Sequence, residues 1–494
     1  MARDQERRLI DASLRGRLGH LSRDALFYGG MLAVGKALGI ITFPLLARHF
    51  SVAEYGALDF LVTLGTLASV AVVFGQDSAM VRFYYDSDDP VRRANAVSQA
   101  LVMKLFQMLL VLPPIWIAAP WISAKMMGRP DLADALQWAV LQIPFAVIVN
   151  FVGNLLKWTF RRGAVFVMSI GIGIAQMTGI VVATVFLDAD IRGIIMVGLV
   201  VNSTFSIIGL YLVRSHLTWP DGADRREMLV FAVPYGILGV AAALAPNIER
   251  GIALSNAGPN ALGLYAAGLK VAALLSIPAS AFQSAWGPFS YALHRQEGVG
   301  DTYDAVLRFW SVTLCVVALG VGISAEWLLI TFASPKYVEA VGVVMPLTLG
   351  MAVISVESVS AIGIGLSKRS LLLLISQGSY LAMLLVAGPS LVKLFGIVGL
   401  AHAVLLAHLA RTSVATWLAT RVFPLVPRVR PVLLVFGVTI ATSLTSSVLA
   451  YTHSASAIAV LWLGLLAVCV LAWTVVLSKT ERKTAVMQFG LKRR

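Results

Sequence analysis

The basic residues of this 494-residue chain are sorted by side. Fourteen apolar stretches, near 24–47, 56–80, 94–121, 135–157, 164–187, 193–213, 228–248, 261–285, 308–331, 341–366, 370–390, 396–420, 431–451 and 456–478, alternate with short loops. Each has about 20 residues or more, the length a helix rising about 1.5 Å per residue needs to cross a hydrocarbon core about 30 Å thick. Every second loop is rich in Lys and Arg. Together with the N-terminal segment (Arg3, Arg7, Arg8, Arg15, Arg17, Arg23) and the C-terminal tail (Lys479, Arg482, Lys483, Lys492, Arg493, Arg494), these loops hold 28 of the 39 basic residues, against seven in the intervening loops. The positive-inside rule then places both termini in the cytoplasm. The expected fold is an all-α polytopic membrane protein with about 14 transmembrane helices.

Composition excludes a soluble domain, because 58% hydrophobic and 13% charged residues leave too little polar surface to keep a chain of this size in water. The net charge of +14 is accounted for by the cytoplasmic rim, so no nucleic-acid partner is expected. Both cysteines, Cys315 and Cys469, fall inside spans, which implies no disulfide framework. The first apolar stretch is too long for a signal-peptide core and is expected to be a retained anchor. Loops this short leave no room for a catalytic domain outside the bilayer, and no phosphate-binding loop, His-Glu-x-x-His or Cys-x-x-Cys motif occurs. The chain is therefore not expected to be an enzyme or to hold a cofactor or metal, and whatever it does is done within the membrane.

Four basic residues lie inside spans: Lys36, Lys104, Lys270 and Arg411. Lys36 is 12 residues from both Asp24 and Arg48, about 18 Å from either end at about 1.5 Å per residue, too deep for its stem to reach water. Charges at that depth persist where they face a watery cavity or a counter-charge. Two readings stay open. In one, Lys36, Lys104 and Lys270, with Arg48 and Arg250 at the outer ends of the first and seventh spans, form a cationic cavity that attracts an anionic cargo. In the other they pair with the acids Glu357, Glu249 and Asp59, or with Glu326 near the outer end of the ninth span. Glu357, mid-span, also has the placement of an ion-coupling carboxylate.

Weak internal symmetry suggests two repeated halves. The first and seventh spans each end on an arginine (Arg48, Arg250), and Gly56 precedes Gln76 by the same 20 residues that separate Gly263 from Gln283. The expected organisation is a cytoplasmic segment 1–23, a six-helix lobe 24–213, a linker 214–227, a second six-helix lobe 228–420, an appended helical hairpin 431–478 and a tail 479–494. Parallel repeats of this kind place a cargo site between the lobes.

Several segments carry a resemblance. Phe27-Tyr28-Gly29-Gly30, Phe43-Pro44-Leu45-Leu46-Ala47-Arg48, Ser51-Val52-Ala53-Glu54-Tyr55-Gly56 and Asp77-Ser78-Ala79-Met80-Val81-Arg82-Phe83-Tyr84, followed in the second half by Phe231-Ala232-Val233-Pro234, Gly263-Leu264-Tyr265 and the run from Ala281 to Phe289, resemble Wzx-type polysaccharide flippases of the multidrug/oligosaccharidyl-lipid/polysaccharide exporter superfamily. The likeness covers about 24–420. It departs from the pattern at Glu249-Arg250, where the family commonly has Asp-Arg. The resemblance implies an inner-membrane flippase that carries a polyprenyl-diphosphate-linked oligosaccharide from the cytoplasmic to the periplasmic leaflet by alternating access, beside a polysaccharide polymerase and export machinery. A diphosphate cargo suits a cationic cavity. Small-xxx-small pairs such as Gly35 and Gly39, and prolines such as Pro44, Pro113, Pro114, Pro144 and Pro234, suit helices that pack closely and bend.

Three rivals share some of these features. A lipid II flippase has the same fold and helix count. A cation-coupled drug exporter of the superfamily would carry mid-membrane acids in the first and seventh spans, where this chain has Lys36 and apolar residues. A membrane enzyme of lipid-linked sugar assembly would need an extramembrane acidic or histidine site that the loops do not supply. The sugar itself is not written in the sequence: Gln107, Asn150, Asn154, Asn202 and Gln283 are polar residues in spans, which bridge helices as readily as they read ligands.

Overall fold

The computed structural model describes residues 42–159, 161–222, 224–293, 299–367, 369, 371–423, 429–450 and 454–477. Most of the first expected span, with Lys36 and the Gly35/Gly39 pair, lies outside the described residues, as do segment 1–23 and tail 479–494. Contacts divide the chain into two compact units, at Gly263 and Leu264. The first contains α1 (Val52–Val73), α2 (Gln76–Tyr85), α3 (Pro90–Met126), α4 (Ala133–Trp158), α5 (Arg162–Val181), α6 (Ile191–Val213) and most of α7 (Arg225–Ala272). The second contains α8 (Ser276–Leu293), α9 (Val299–Ile323), α10 (Val341–Ser360), α11 (Leu372–Val422), α12 (Val429–Ala450) and α13 (Ser454–Leu471).

Eleven helical stretches among the described residues are long and apolar enough to cross a membrane. Two of them, Arg225–Gln283 with 59 residues and Leu372–Val422 with 51, are more than twice the roughly 20 residues one crossing needs. Each is broken where no helix can continue: at Gly258, with φ 89° and ψ 178°, and at Phe395–Gly396, where Gly396 has φ 58° and ψ −146°. Only glycine occupies such backbone without strain. Each long stretch thus supplies two crossings, divided at or beside the loops expected between spans seven and eight and between eleven and twelve. Large apolar side chains stand exposed along α3 (Phe106, Leu109, Ile117), as expected of a surface that lipid covers.

Local chemistry sets the helix starts. Ser51 Oγ accepts the Glu54 N–H at 3.2 Å while the Glu54 carboxylate accepts the Ser51 N–H at 2.9 Å, a reciprocal cap that opens α1. Asp89 accepts the Val91 N–H at 3.0 Å ahead of Pro90 at the first turn of α3, and Asp190 accepts the Gly193 N–H at 2.9 Å to open α6. Between α1 and α2 the backbone turns through Phe74 (φ 35°) and Gly75 (φ 77°), and Gly75 lies so close to α7 that a Cβ there would stand 2.1 Å from the Ala232 carbonyl oxygen. Gly56 and Gly263, the paired positions of the repeated spacing, lie against each other: a Cβ on Gly56 would be 2.5 Å from the Gly263 nitrogen.

Each unit has its own core. In the first, Phe151, Val152, Leu155 and Leu156 of α4 pack on Met80, Val97, Met103 and Met228. In the second, Leu314, Leu319, Leu349 and Val353 pack beside Trp286 and Trp310, with Phe282 stacked on Trp310 at 3.9 Å between ring centroids.

Candidate functional site

The first unit encloses a cavity of about 650 Å³. One face of α1, carrying Thr66 and Ser69, and one face of α4, carrying Gln142 and Asn150, form walls of it, with Asp77 at the start of α2 and Tyr235 of α7. The spacing explains the faces: Val62, Thr66, Ser69, Val70 and Val73 recur at helical intervals on α1, as do Ala139, Gln142, Ile143, Ala146, Val147 and Asn150 on α4. Among the described residues, no Lys or Arg lines this cavity and its one charged group is Asp77.

Asp77 is braced from behind. Lys104 Nζ donates to one carboxylate oxygen and Asn154 Nδ2 to the other, at 3.1 Å, while the ammonium stands 4.6 Å from the centre of the Phe151 ring. The Lys104 side chain is 1% exposed and the Asp77 side chain 27% exposed, so the cavity meets the carboxylate and the ammonium stays in the protein. Lys104, expected to face a cargo cavity, is placed as this buried counter-ion.

The other expected site residues are distributed differently. Arg250 is buried, its Nε donating to Asp59 Oδ2 at 2.8 Å and its Nη1 to the Pro246 carbonyl at 3.0 Å; this ties α7 to α1. Glu249 beside it is buried as well. In the second unit Glu357 of α10 receives the guanidinium of Arg411 from α11: Nε at 3.2 and 3.1 Å to its two oxygens, Nη2 at 3.0 Å, with the Thr412 hydroxyl at 3.1 Å. Arg411 Nη1 also donates to Gln377 Oε1 at 2.8 Å. Arg48 and Lys270 are exposed. Lys36 lies outside the described residues. Asp77 was missed as a site residue even though it opens one of the segments that carry the resemblance; the local signal is the polar pair Gln76-Asp77 just inside the expected end of the second span.

The second unit has a smaller cavity of about 380 Å³, with hydroxyls of Ser360, Thr412, Ser413, Thr416 and Thr420 among mostly apolar walls. Among the described residues no group of three His, Cys, Asp or Glu side chains is placed to hold a metal ion.

The fold of the chain is similar to that of solved transporters of the MOP superfamily. Similar solved structures include the lipid II flippase MurJ in its inward closed conformation, with a TM-score of 0.67 and 13% identity over 95% of this chain and 100% of that one. An inward-facing multidrug resistance MATE family transporter of the superfamily gives 0.65 and 14% over 78% of this chain and 94% of that one. A MOP superfamily transporter from Pyrococcus furiosus, described as having a binding pocket of reversed polarity, gives 0.60 and 14% over 84% and 97%. No curated protein matches the chain. The family model for polysaccharide biosynthesis proteins matches residues 21–294, more than half of the chain, and the chain belongs to that family.

Proposed function

We propose that this protein is a flippase that carries a polyprenyl-diphosphate-linked oligosaccharide from the cytoplasmic to the periplasmic leaflet of the inner membrane, by alternating access of two six-helix lobes. The observation that carries the reading is a roomy cavity among membrane-crossing helices, with polar side chains set in mostly apolar walls, in a member of the polysaccharide biosynthesis family. The basic asymmetry of the loops supports cytoplasmic termini. Of the cations expected to meet cargo, Lys36, Arg48 and Lys270 are assigned to the lipid diphosphate, while Lys104 and Arg250 act through their acidic partners. A polymerase and export machinery would take the cargo on the far side. Transport of lipid II is the second reading, favoured by a fold match that covers nearly the whole chain, and the family match weighs against it. The test is translocation in proteoliposomes that contain the purified chain and a fluorescent polyprenyl-diphosphate oligosaccharide. Movement between leaflets well above that in protein-free liposomes is expected; equal rates, or movement of lipid II alone, overturn the proposal.

A further inference from the structure

We infer that the cavity of the first unit is a sugar-reading site that selects neutral, hydroxyl- or acetamido-bearing residues of the oligosaccharide and disfavours uronic acids. The inference rests on the proposed flippase function and concerns what that site accepts. A sugar ring presents hydroxyl donors and acceptors around its rim and a weakly apolar face. The cavity offers the complement: a carboxylate at Asp77, amides at Gln142 and Asn150, hydroxyls at Thr66 and Ser69, and the partly exposed Tyr235 ring. The Thr66 and Ser69 hydroxyl protons are already donated to their own helix, to the Val62 and Gly65 carbonyls at 2.9 and 2.8 Å, so these oxygens face a ligand as acceptors. Asp77 is likewise an acceptor. Lys104 and Asn154 each take one lone pair of its two oxygens, and an ionised carboxylate has about four such positions, so capacity remains on the exposed edge. Among the polar groups of this mostly apolar wall, Thr66, Ser69 and Asp77 offer only acceptors, and these ask a ligand for donors.

Sugar hydroxyls and acetamido N–H groups supply donors; a uronate supplies a second carboxylate. Set beside Asp77, that second negative charge would meet a like charge across a cavity walled mostly by apolar side chains, which screen it less than bulk water does. Lys104 does not relieve this repulsion, because its ammonium lies on the protein side of Asp77 and is already paired. The polarity is opposite to that expected of a cavity lined by Lys104, and it separates two tasks: cations elsewhere meet the diphosphate, and this wall meets the sugar.

The experiment measures binding of the purified full-length chain to three probes: polyprenyl diphosphate without sugar, the same lipid carrying a neutral trisaccharide, and one in which a terminal hexose is replaced by hexuronic acid. The neutral probe is expected to bind about tenfold more tightly than the uronate probe, the effect of one charge-assisted hydrogen bond gained or lost. Asp77→Asn should bring the two within about twofold of each other, the remainder that neutral polar groups give. Asn150→Ala, which leaves the Lys104–Asp77 pair in place, should weaken only the sugar-bearing probes, and it carries the test if Asp77→Asn protein does not accumulate. Equal binding of the neutral and uronate probes by the wild type, or an unchanged ratio in Asp77→Asn, overturns the inference and leaves the flippase reading standing. Failure of all three probes to bind overturns that reading too.

Discussion

The two units handle a membrane-embedded carboxylate in opposite ways. In the second, Glu357 meets a guanidinium fork that reaches both of its oxygens, and the Thr412 hydroxyl takes a further position. In the first, Asp77 meets a lysine, a single point charge, on one oxygen and an amide on the other, with the remaining edge open to a cavity. Arginine saturates its partner through a rigid fork; lysine does not. The same net neutrality therefore gives a closed structural clamp in one unit and a carboxylate still able to accept in the other.

Removing one partner from the clamp should produce the largest effect. Glu357→Ala leaves the Arg411 guanidinium without a counter-charge, held only by the Gln377 side-chain carbonyl, and a loss of about 3–5 kcal/mol is expected, read as a fall in unfolding temperature in detergent or as lost accumulation in membranes. The double variant Glu357→Leu/Arg411→Met should regain most of it. A single variant as stable as wild type would erase the distinction between the two sites.

The Asp77 site sharpens the comparison because its two partners differ in access to water. Asp77→Leu strands a fully buried ammonium and should cost about 3 kcal/mol or more, whereas Lys104→Met leaves a carboxylate that the cavity can hydrate, at about 1–2 kcal/mol. Equal losses would mean that the cavity gives the carboxylate no relief. A smaller change is expected at the start of α1, where Ser51→Ala removes half of the reciprocal cap and should lower stability by about 1 kcal/mol. The smallest concerns coupling. Since Glu357 is engaged by the clamp, protein carrying Glu357→Gln that still folds should respond to imposed proton and sodium gradients in proteoliposomes as wild type does; a selective loss of gradient response would return Glu357 to a coupling role.

The helical architecture was legible because it depends on run length and charge placement, both local properties. Even the breaks in the two longest helices fall at Gly258 and at Phe395–Gly396, at or beside the expected loops. The charge pairing was not legible. Asp77 and Lys104 are 27 residues apart, Glu357 and Arg411 54, and Asp59 and Arg250 191, and no periodicity within one helix reports which neighbour it will face. Lys104 is buried within its helix bundle, but an in-span position alone does not say whether a charge looks into a cavity or into a partner. Asn150 and Asn202 show the same limit: both are span amides that donate to a carbonyl of their own helix, Ala146 at 3.4 Å and Gly198 at 2.8 Å, yet Asn150 lines the cavity and Asn202 does not.

The reciprocal cap at Ser51 and Glu54 has a consequence for what kinship can tell. Those two residues sit in one of the segments by which the chain resembles its relatives, and in the folded protein they are spent on starting a helix. A signature of that kind certifies a scaffold and is mute about freight. Under the sugar-reading role proposed for the cavity, the choice of sugar is written a few turns further on, at Thr66 and Ser69, where a change of hydroxyl leaves the start of the helix untouched.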